Sequence, residues 1–132
     1  MANTMQFDLV TPEAKLASFQ TTEVQIAGAD GDLTAMPGHA PLITTLRPGV
    51  LRVAGAEGMV AFVVSGGFAE ITAESVSVLA ERAVPIEEAT GTIVDSMLEE
   101  ARSLAAAALP EDKDAADKLV HDIMALRGTV AI

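Results

Sequence analysis

No cysteine occurs in this chain, and neither tryptophan nor tyrosine. The first absence excludes disulfides and thiolate chemistry and fits a reducing compartment. The second leaves four phenylalanines as the aromatic residues, so a core must be built from Val, Leu, Ile, Met and Ala. Positive charge is scarce: eight Lys and Arg stand against 19 Asp and Glu, a net charge of −11. Phosphate backbones and anionic lipid repel such a surface, which argues against nucleic acid and against direct membrane insertion. Long apolar runs are missing as well. The longest uncharged stretch, Leu33 to Leu46, holds two prolines and falls short of the roughly 18 apolar residues of a membrane span. The opening Met-Ala-Asn-Thr-Met-Gln has neither the basic start nor the apolar run of a secretion signal. These absences predict a soluble cytosolic chain.

What is present suits one compact domain, or a small domain with an appendage: 132 residues, half of them hydrophobic and one fifth charged. The first part alternates. Met5, Phe7 and Leu9 face one way while Gln6 and Asp8 face the other, and Val24 and Ile26 alternate with Glu23 and Gln25. Ala54 to Gly58 reads as a turn, Ser65-Gly66-Gly67 as another, and Val76 and Val78 alternate again. Short alternating segments divided by Gly and Pro predict nine or ten strands before residue 85, in an antiparallel sandwich or barrel.

After Pro85 the period lengthens. Ile93, Val94, Met97, Leu98, Ala101, Leu104, Ala105 and Ala108 recur at helical spacing, as do Ala116, Leu119, Val120 and Ile123, with Arg127 at the stripe's edge. Leu109-Pro110-Glu111-Asp112 separates the two runs. Proline stops the first helix and the acids suit the start of the second. The prediction is α+β: a β-sandwich over 1–85 and a helical hairpin over 86–132. The hairpin's stripe is rich in alanine, which buries little area, so it is expected to depend on docking.

Motifs for bond chemistry are missing. There is no phosphate loop, no Gly-x-Gly-x-x-Gly, no His-Glu-x-x-His and no Gly-x-Ser-x-Gly. His39 and His121 fall in different predicted domains, too sparse for a shared metal site. Ser65 before two glycines reads as a hairpin turn, since no motif places a base near it. Asp30-Gly31-Asp32 lacks the later acid of a calcium loop and reads as a tight turn. Glu99-Glu100 reads as a solvated helix face. Pattern alone leaves function open between an interaction module and a small-ligand binder, with no catalytic residue, cofactor or metal indicated.

One stretch is more specific. Gly31-Asp32-Leu33 followed by Pro37-Gly38-His39-Ala40-Pro41-Leu42 resembles the epsilon subunit of bacterial F-type ATP synthase. Leu46-Arg47-Pro48-Gly49, Ser65-Gly66-Gly67-Phe68-Ala69-Glu70 and Val76-Ser77-Val78-Leu79-Ala80 agree with the same family in order and spacing, as does the opening Phe7 to Pro12. The resemblance covers nearly all of residues 5–85; the hairpin agrees in architecture and only loosely in sequence.

The resemblance implies a ten-stranded antiparallel β-sandwich followed by a two-helix hairpin. It implies a non-catalytic subunit of the central rotor that links gamma to the polar loops of the c-ring and couples proton flow to ATP synthesis. The location would be peripheral, on the cytoplasmic face of the bacterial inner membrane. It places Gly31 and Asp32 at the c-ring, where the acid meets a basic group, and Thr11, Pro37, Gly38, His39 and Thr44 at gamma. A third contact, from the C-terminal helices to the catalytic alpha and beta subunits, belongs to members whose hairpin inhibits ATP hydrolysis. Two alternatives stay open: an ATP-sensing regulatory subunit, and an unrelated small-ligand-binding β-sandwich.

The hairpin departs from the family. The family's nucleotide pattern at the first helix runs Ile/Leu-Asp-x-x-Arg-Ala, and here Ile86-Glu87-Glu88-Ala89-Thr90-Gly91 puts Thr90 where the arginine would stand. Threonine offers phosphate neither charge nor a bidentate fork. Residues 111–132 carry five acids against Lys113, Lys118 and Arg127, so insertion beside an acidic partner is opposed. The expectation is a weak inhibitor and a weak ATP sensor at best.

Overall fold

The computed structural model describes the backbone of residues 4–55, 58–88 and 91–129, and side chains as far as residue 126. The chain divides into two compact units, residues 1–85 and 86–132. The first holds ten strands: β1 (Met5–Val10), β2 (Lys15–Thr21), β3 (Val24–Gly28), β4 (Gly31–Ala35), β5 (Leu42–Thr45), β6 (Gly49–Gly55), β7 (Gly58–Ser65), β8 (Phe68–Ile71), β9 (Ser75–Leu79) and β10 (Arg82–Pro85). They form two five-stranded sheets, ordered β2-β1-β9-β8-β5 and β10-β7-β6-β3-β4.

Alternation decides which residues meet between the sheets. Along β1, Met5, Phe7 and Leu9 are buried while their neighbours stay half-exposed. Ile71, Val76 and Val78 line the same sheet's inner face, and Val24, Ile26, Leu51, Val53, Phe62 and Val64 oppose them from the other. Phe7 and Phe19 touch with ring centroids 5.4 Å apart, a tilted pair of the favourable kind. Thr21, a polar residue buried among the described residues, is satisfied: its hydroxyl donates toward Ala54 O at 2.6 Å and lies 3.0 Å from Glu23 O.

Two details differ from the sequence reading. The sandwich is not wholly antiparallel, because β1 lies parallel to β9. Hairpin-linked neighbours must run antiparallel, but no hairpin joins these two strands, so nothing local fixes their relative direction. The second detail concerns Ser65-Gly66-Gly67, which is not a hairpin turn. Strand β7 pairs with β6 and β10, and β8 pairs with β5 and β9, so these residues carry the chain from one sheet to the other. Gly66 and Gly67 both have positive φ, 72° and 94°. At Gly67 an added Cβ would fall 1.9 Å from Leu79 O, so glycine is required there for both reasons.

The second unit begins with a 3₁₀ turn, Ile86–Glu88, followed by α1 (Gly91–Ala107), a 3₁₀ turn over Pro110–Asp112, and α2 (Lys113–Thr129). Val94, Met97, Ala101 and Ala105 form the buried line of α1, and Ile123 and Leu126 are buried on α2, which packs against it. Leu104, expected in the stripe, is 57 % exposed. The seam has narrowed to alanines at that level, leaving the flank open. Lys113 Nζ reaches back to Ala105 O at 3.4 Å, a cation at the C-terminal end of α1 where free carbonyls favour it. Glu99 and Glu100 lie on the exposed side of α1.

Candidate partner interface

The register of the β2-β1-β9-β8-β5 sheet arranges its residues in rows. One row reads Val10, Leu79, Phe68, Thr45 and the next Asp8, Ser77, Glu70, Ile43. These rows face away from the core. Between them runs an inward row, Leu9, Val78, Ala69, Thr44, whose first three members are fully buried. Besides the half-buried Val10, the outward rows carry three exposed large apolar side chains where the alternation would leave polar ones. Ile43 is 64 % exposed, and the directly paired Phe68 and Leu79 are 41 % and 42 % exposed. An apolar group of this kind beside an edge strand marks a place where a partner packs.

The polar part of the same face is ordered by its own bonds. Gln6 Nε2 donates to Ser18 Oγ at 3.0 Å and to Asp8 Oδ1 at 3.3 Å, and Gln20 Nε2 donates to Gln6 Oε1 at 2.7 Å. A hydrogen bond from Ser18 holds the Asp8 carboxyl below its usual value, helped by Gln6 and by Lys15 at 3.9 Å and opposed by partial burial.

The Pro37-Gly38-His39 segment is a turn closed by His39 N donating to Met36 O at 3.0 Å. Pro37 supplies the first central position and Gly38 the second, with φ 89°, as a type II turn demands. Gly38 N donates to Ala73 O at 2.9 Å, which ties this turn to the one joining β8 and β9. His39 Nδ1 lies 2.6 Å from Ala40 O, an acceptor, so Nδ1 carries a proton and the ring is held at that side. Thr11 closes the β1–β2 turn, its amide donating to Ala14 O at 2.9 Å.

These residues do not form one cluster. The His39 turn lies at the β8–β9 turn, beside the Gln6 end of β1, since Gln6 N donates to Glu74 O. Thr11 follows the opposite end of β1, and β5 lies three positions along the sheet from β1. At about 3.3 Å per residue and about 4.8 Å per strand, the two corners are roughly 20 Å apart. Thr44 lies between them on the inward row, half-buried, its Oγ1 3.2 Å from where a Cβ on Gly28 would stand. A partner touching both corners must span the whole face, from which the Thr44 side chain is turned away.

Gly31 and Asp32 belong to the other sheet. Ala29 and Asp30 form the two-residue turn between β3 and β4, Gly28 pairs with Gly31, and Gly31 has φ 136°. The tight-turn reading of this stretch holds. Asp32 is not a lone acid: it forms an ion pair with Arg47. Among the described residues no group of three His, Asp or Glu gathers to hold a metal, and no helix is long and apolar enough to cross a membrane.

Sequence reasoning missed Ile43, Phe68, Leu79 and Arg47. Leu79 had a readable signal, standing in register with the outward Ser75 and Ser77. Leu42-Ile43 does not alternate, so no face could be assigned there. On the hairpin, Ala89, Thr90 and the side chain of Arg127 lie outside the described residues. Lys113 and Lys118 are engaged within α2, with Asp117 and Asp122, each at 2.8 Å.

Residues 4–86 match the family described as ATP synthase, delta/epsilon chain, beta-sandwich domain. An ATP synthase epsilon chain of Cereibacter sphaeroides is 61 % identical over 129 residues, 98 % of each chain. That of Rhodobacter capsulatus is 53 % identical over 126 residues, 96 % of each, and that of Brucella anthropi 43 % identical over 132 residues, 98 % of each. Among solved structures, a chain of the Euglena gracilis mitochondrial ATP synthase OSCP/F1/c-ring assembly superposes with a TM-score of 0.72 at 22 % identity, over 97 % of this chain and 82 % of that one.

Proposed function

The chain belongs to the ATP synthase epsilon chain family, and on that premise we propose that it is a non-catalytic rotor subunit joining gamma to the c-ring. It passes torque between proton flow and ATP synthesis and does no bond chemistry itself. The observation that carries this reading is the exposed apolar group Ile43, Phe68 and Leu79 on the outward face of one sheet. Gamma covers it, meeting the His39 turn at one corner and Thr11 at the other. The ring loops meet the β3–β4 turn, where Gly31 and Asp32 present an acidic tip to a basic group.

The chain is held at the membrane through the ring and not by lipid. Its charge of −11 disfavours anionic headgroups. That location is the cytoplasmic face of the bacterial inner membrane. The hairpin is a poor clamp on the catalytic alpha and beta subunits and a poor ATP site, since its two lysines are already paired along α2.

The test is cross-linking in membranes carrying the assembled synthase, from cysteines replacing Asp30 and His39. Capture of a ring subunit from position 30 and of gamma from position 39 is expected. A synthase in which neither cysteine reaches its partner refutes the assignment.

A further inference from the structure

The segment from Thr45 to Pro48 carries the chain from one sheet to the other, and on its way it is stitched to the β3–β4 hairpin. Ala29 N donates to Thr45 O at 2.8 Å, Arg47 N donates to Ala27 O at 3.1 Å, and Leu46 bridges Gly28. The approach is close. A Cβ on Gly49 would stand 2.7 Å from Ala27 Cβ, and one on Gly28 would stand 2.8 Å from Gly31 O. These backbone bonds hold β3 and the first turn residue. They do not reach β4, an edge strand paired only with β3.

The side chain of Arg47 does reach it. Nη1 donates to Gly28 O at 2.7 Å and Nη2 meets the carboxylate of Asp32. One planar group thus spans from the last carbonyl of β3 to the second residue of β4. The two partners differ in exposure: the side chain of Arg47 is 30 % exposed and that of Asp32 78 %. The arginine is the anchored member and the acid the presented one. Oδ1 of Asp32 is engaged, and the carboxylate's second oxygen remains to accept from a partner's cation.

We propose that Arg47 is a positioning residue for the ring contact, locking the Asp32 hairpin to the strap that follows β5 so that the ring-facing tip and the gamma-facing edge turn as one body. This rests on the rotor reading above. A rotor link transmits only as much torque as its softest joint, and an edge hairpin entered through a glycine at φ 136° is soft unless braced. Lysine reaches one of the two acceptors but lacks the fork to hold both. An exposed ion pair adds little to overall stability, so its loss shows locally and not in the melting of the sandwich.

The experiment uses the full chain carrying Arg47→Ala, Arg47→Lys or Asp32→Asn, each with and without Asp30→Cys. In the isolated protein, amide exchange is read across residues 29–34. In membranes with the assembled synthase, cross-linking to the ring from the cysteine at position 30 and the ratio of proton pumping to ATP hydrolysis are read together. Arg47→Ala is expected to speed exchange across 29–34 by up to about fivefold with β6 and β7 unchanged, and to lower both cross-linking and the pumping ratio. Arg47→Lys recovers part of each loss. Asp32→Asn, at an exposed position, gives the same exchange pattern and carries the test should Arg47→Ala fail to fold. Unchanged exchange across 29–34 overturns the proposal. So does faster exchange with unaltered cross-linking and coupling, which makes Arg47 a local brace only. Absence of cross-linking in the otherwise native chain is a different result: it refutes the ring assignment itself, and the docking role of Arg47 with it.

Discussion

Replacing Ile43 measures how much of the gamma contact the apolar face supplies. Fully burying an Ile, Leu or Phe side chain yields about 1.5–3 kcal/mol. Ile43 keeps 64 % of its surface and Phe68 and Leu79 keep 41 % and 42 %. Covering the remainder is worth about 1–2 kcal/mol for Ile43 and about 0.6–1.3 kcal/mol for each of the others. Together they offer about 2–4.5 kcal/mol before the losses of association are subtracted. Ile43→Ala removes about 1 kcal/mol, so affinity of the isolated chain for purified gamma falls about fivefold. Ile43→Asp also strands a charge beneath the partner, which adds about 1–3 kcal/mol and brings the loss to roughly 30-fold or more. Met59, 52 % exposed on a strand of the other sheet, is the control: Met59→Ala leaves affinity unchanged. Titration calorimetry with gamma reads all three variants. Equal losses for Ile43→Ala and Met59→Ala, or native affinity in Ile43→Asp, refutes the placement of gamma on this face.

Gly67→Ala must displace the backbone of Leu79 and accept an unfavourable φ, so it costs about 2–3 kcal/mol and lowers the melting temperature by roughly 10 °C or more. Calorimetry checks it, and a native melting temperature counts against it. Val64 is 1 % exposed between the sheets, and Val64→Glu is expected to abolish cooperative unfolding by circular dichroism, because an unpaired buried charge costs several kcal/mol. The Asp8 carboxyl sits below its usual 3.8, so its contribution to stability is present above that value and is lost as pH falls through the folded pKa. Ser18→Ala raises the Asp8 pKa in an NMR titration and shrinks that acid-sensitive contribution; an unmoved titration refutes the Ser18 cause. Truncation after Ala89 leaves membrane ATP hydrolysis within about twofold of native, and the intact chain shows no micromolar ATP binding, because the hairpin's lysines pair within α2 and offer little attraction to acids or phosphates. A many-fold rise in hydrolysis refutes this.

The sandwich was legible because alternation is local. Met5, Phe7 and Leu9 declare the inward face of β1 without reference to any other strand, and Val76 and Val78 do the same for β9. Pairing partners are not local. Nothing in residues 65–67 tells a hairpin turn from a passage between sheets, since both need glycines at positive φ. The parallel neighbour of β1 lies some seventy residues onward, and no short-range pattern encodes it. The candidate site divides along the same line. The Pro37-Gly38 turn and the Gly31 turn follow from backbone geometry that proline and glycine impose. The Arg47–Asp32 pair spans fifteen residues and two strands, and the apolar rows exist only once β5, β8 and β9 lie side by side. Family resemblance supplied the rotor context where these patterns were silent.

The parallel pairing of β1 with β9 has a consequence for biosynthesis. Strand β1 sits second in its sheet, between β2 and β9. During translation β2 follows within a few residues and can pair at once, but β9 becomes available only after Leu79 has cleared the ribosome. Until then the open side of β1 offers unpaired amides and carbonyls to any neighbouring strand. Contacts this distant in sequence also slow the closing step. Strand β1 is therefore among the last to be completed, and a nascent chain stalled before residue 75 carries an exposed, adhesive sheet edge that chaperones must cover.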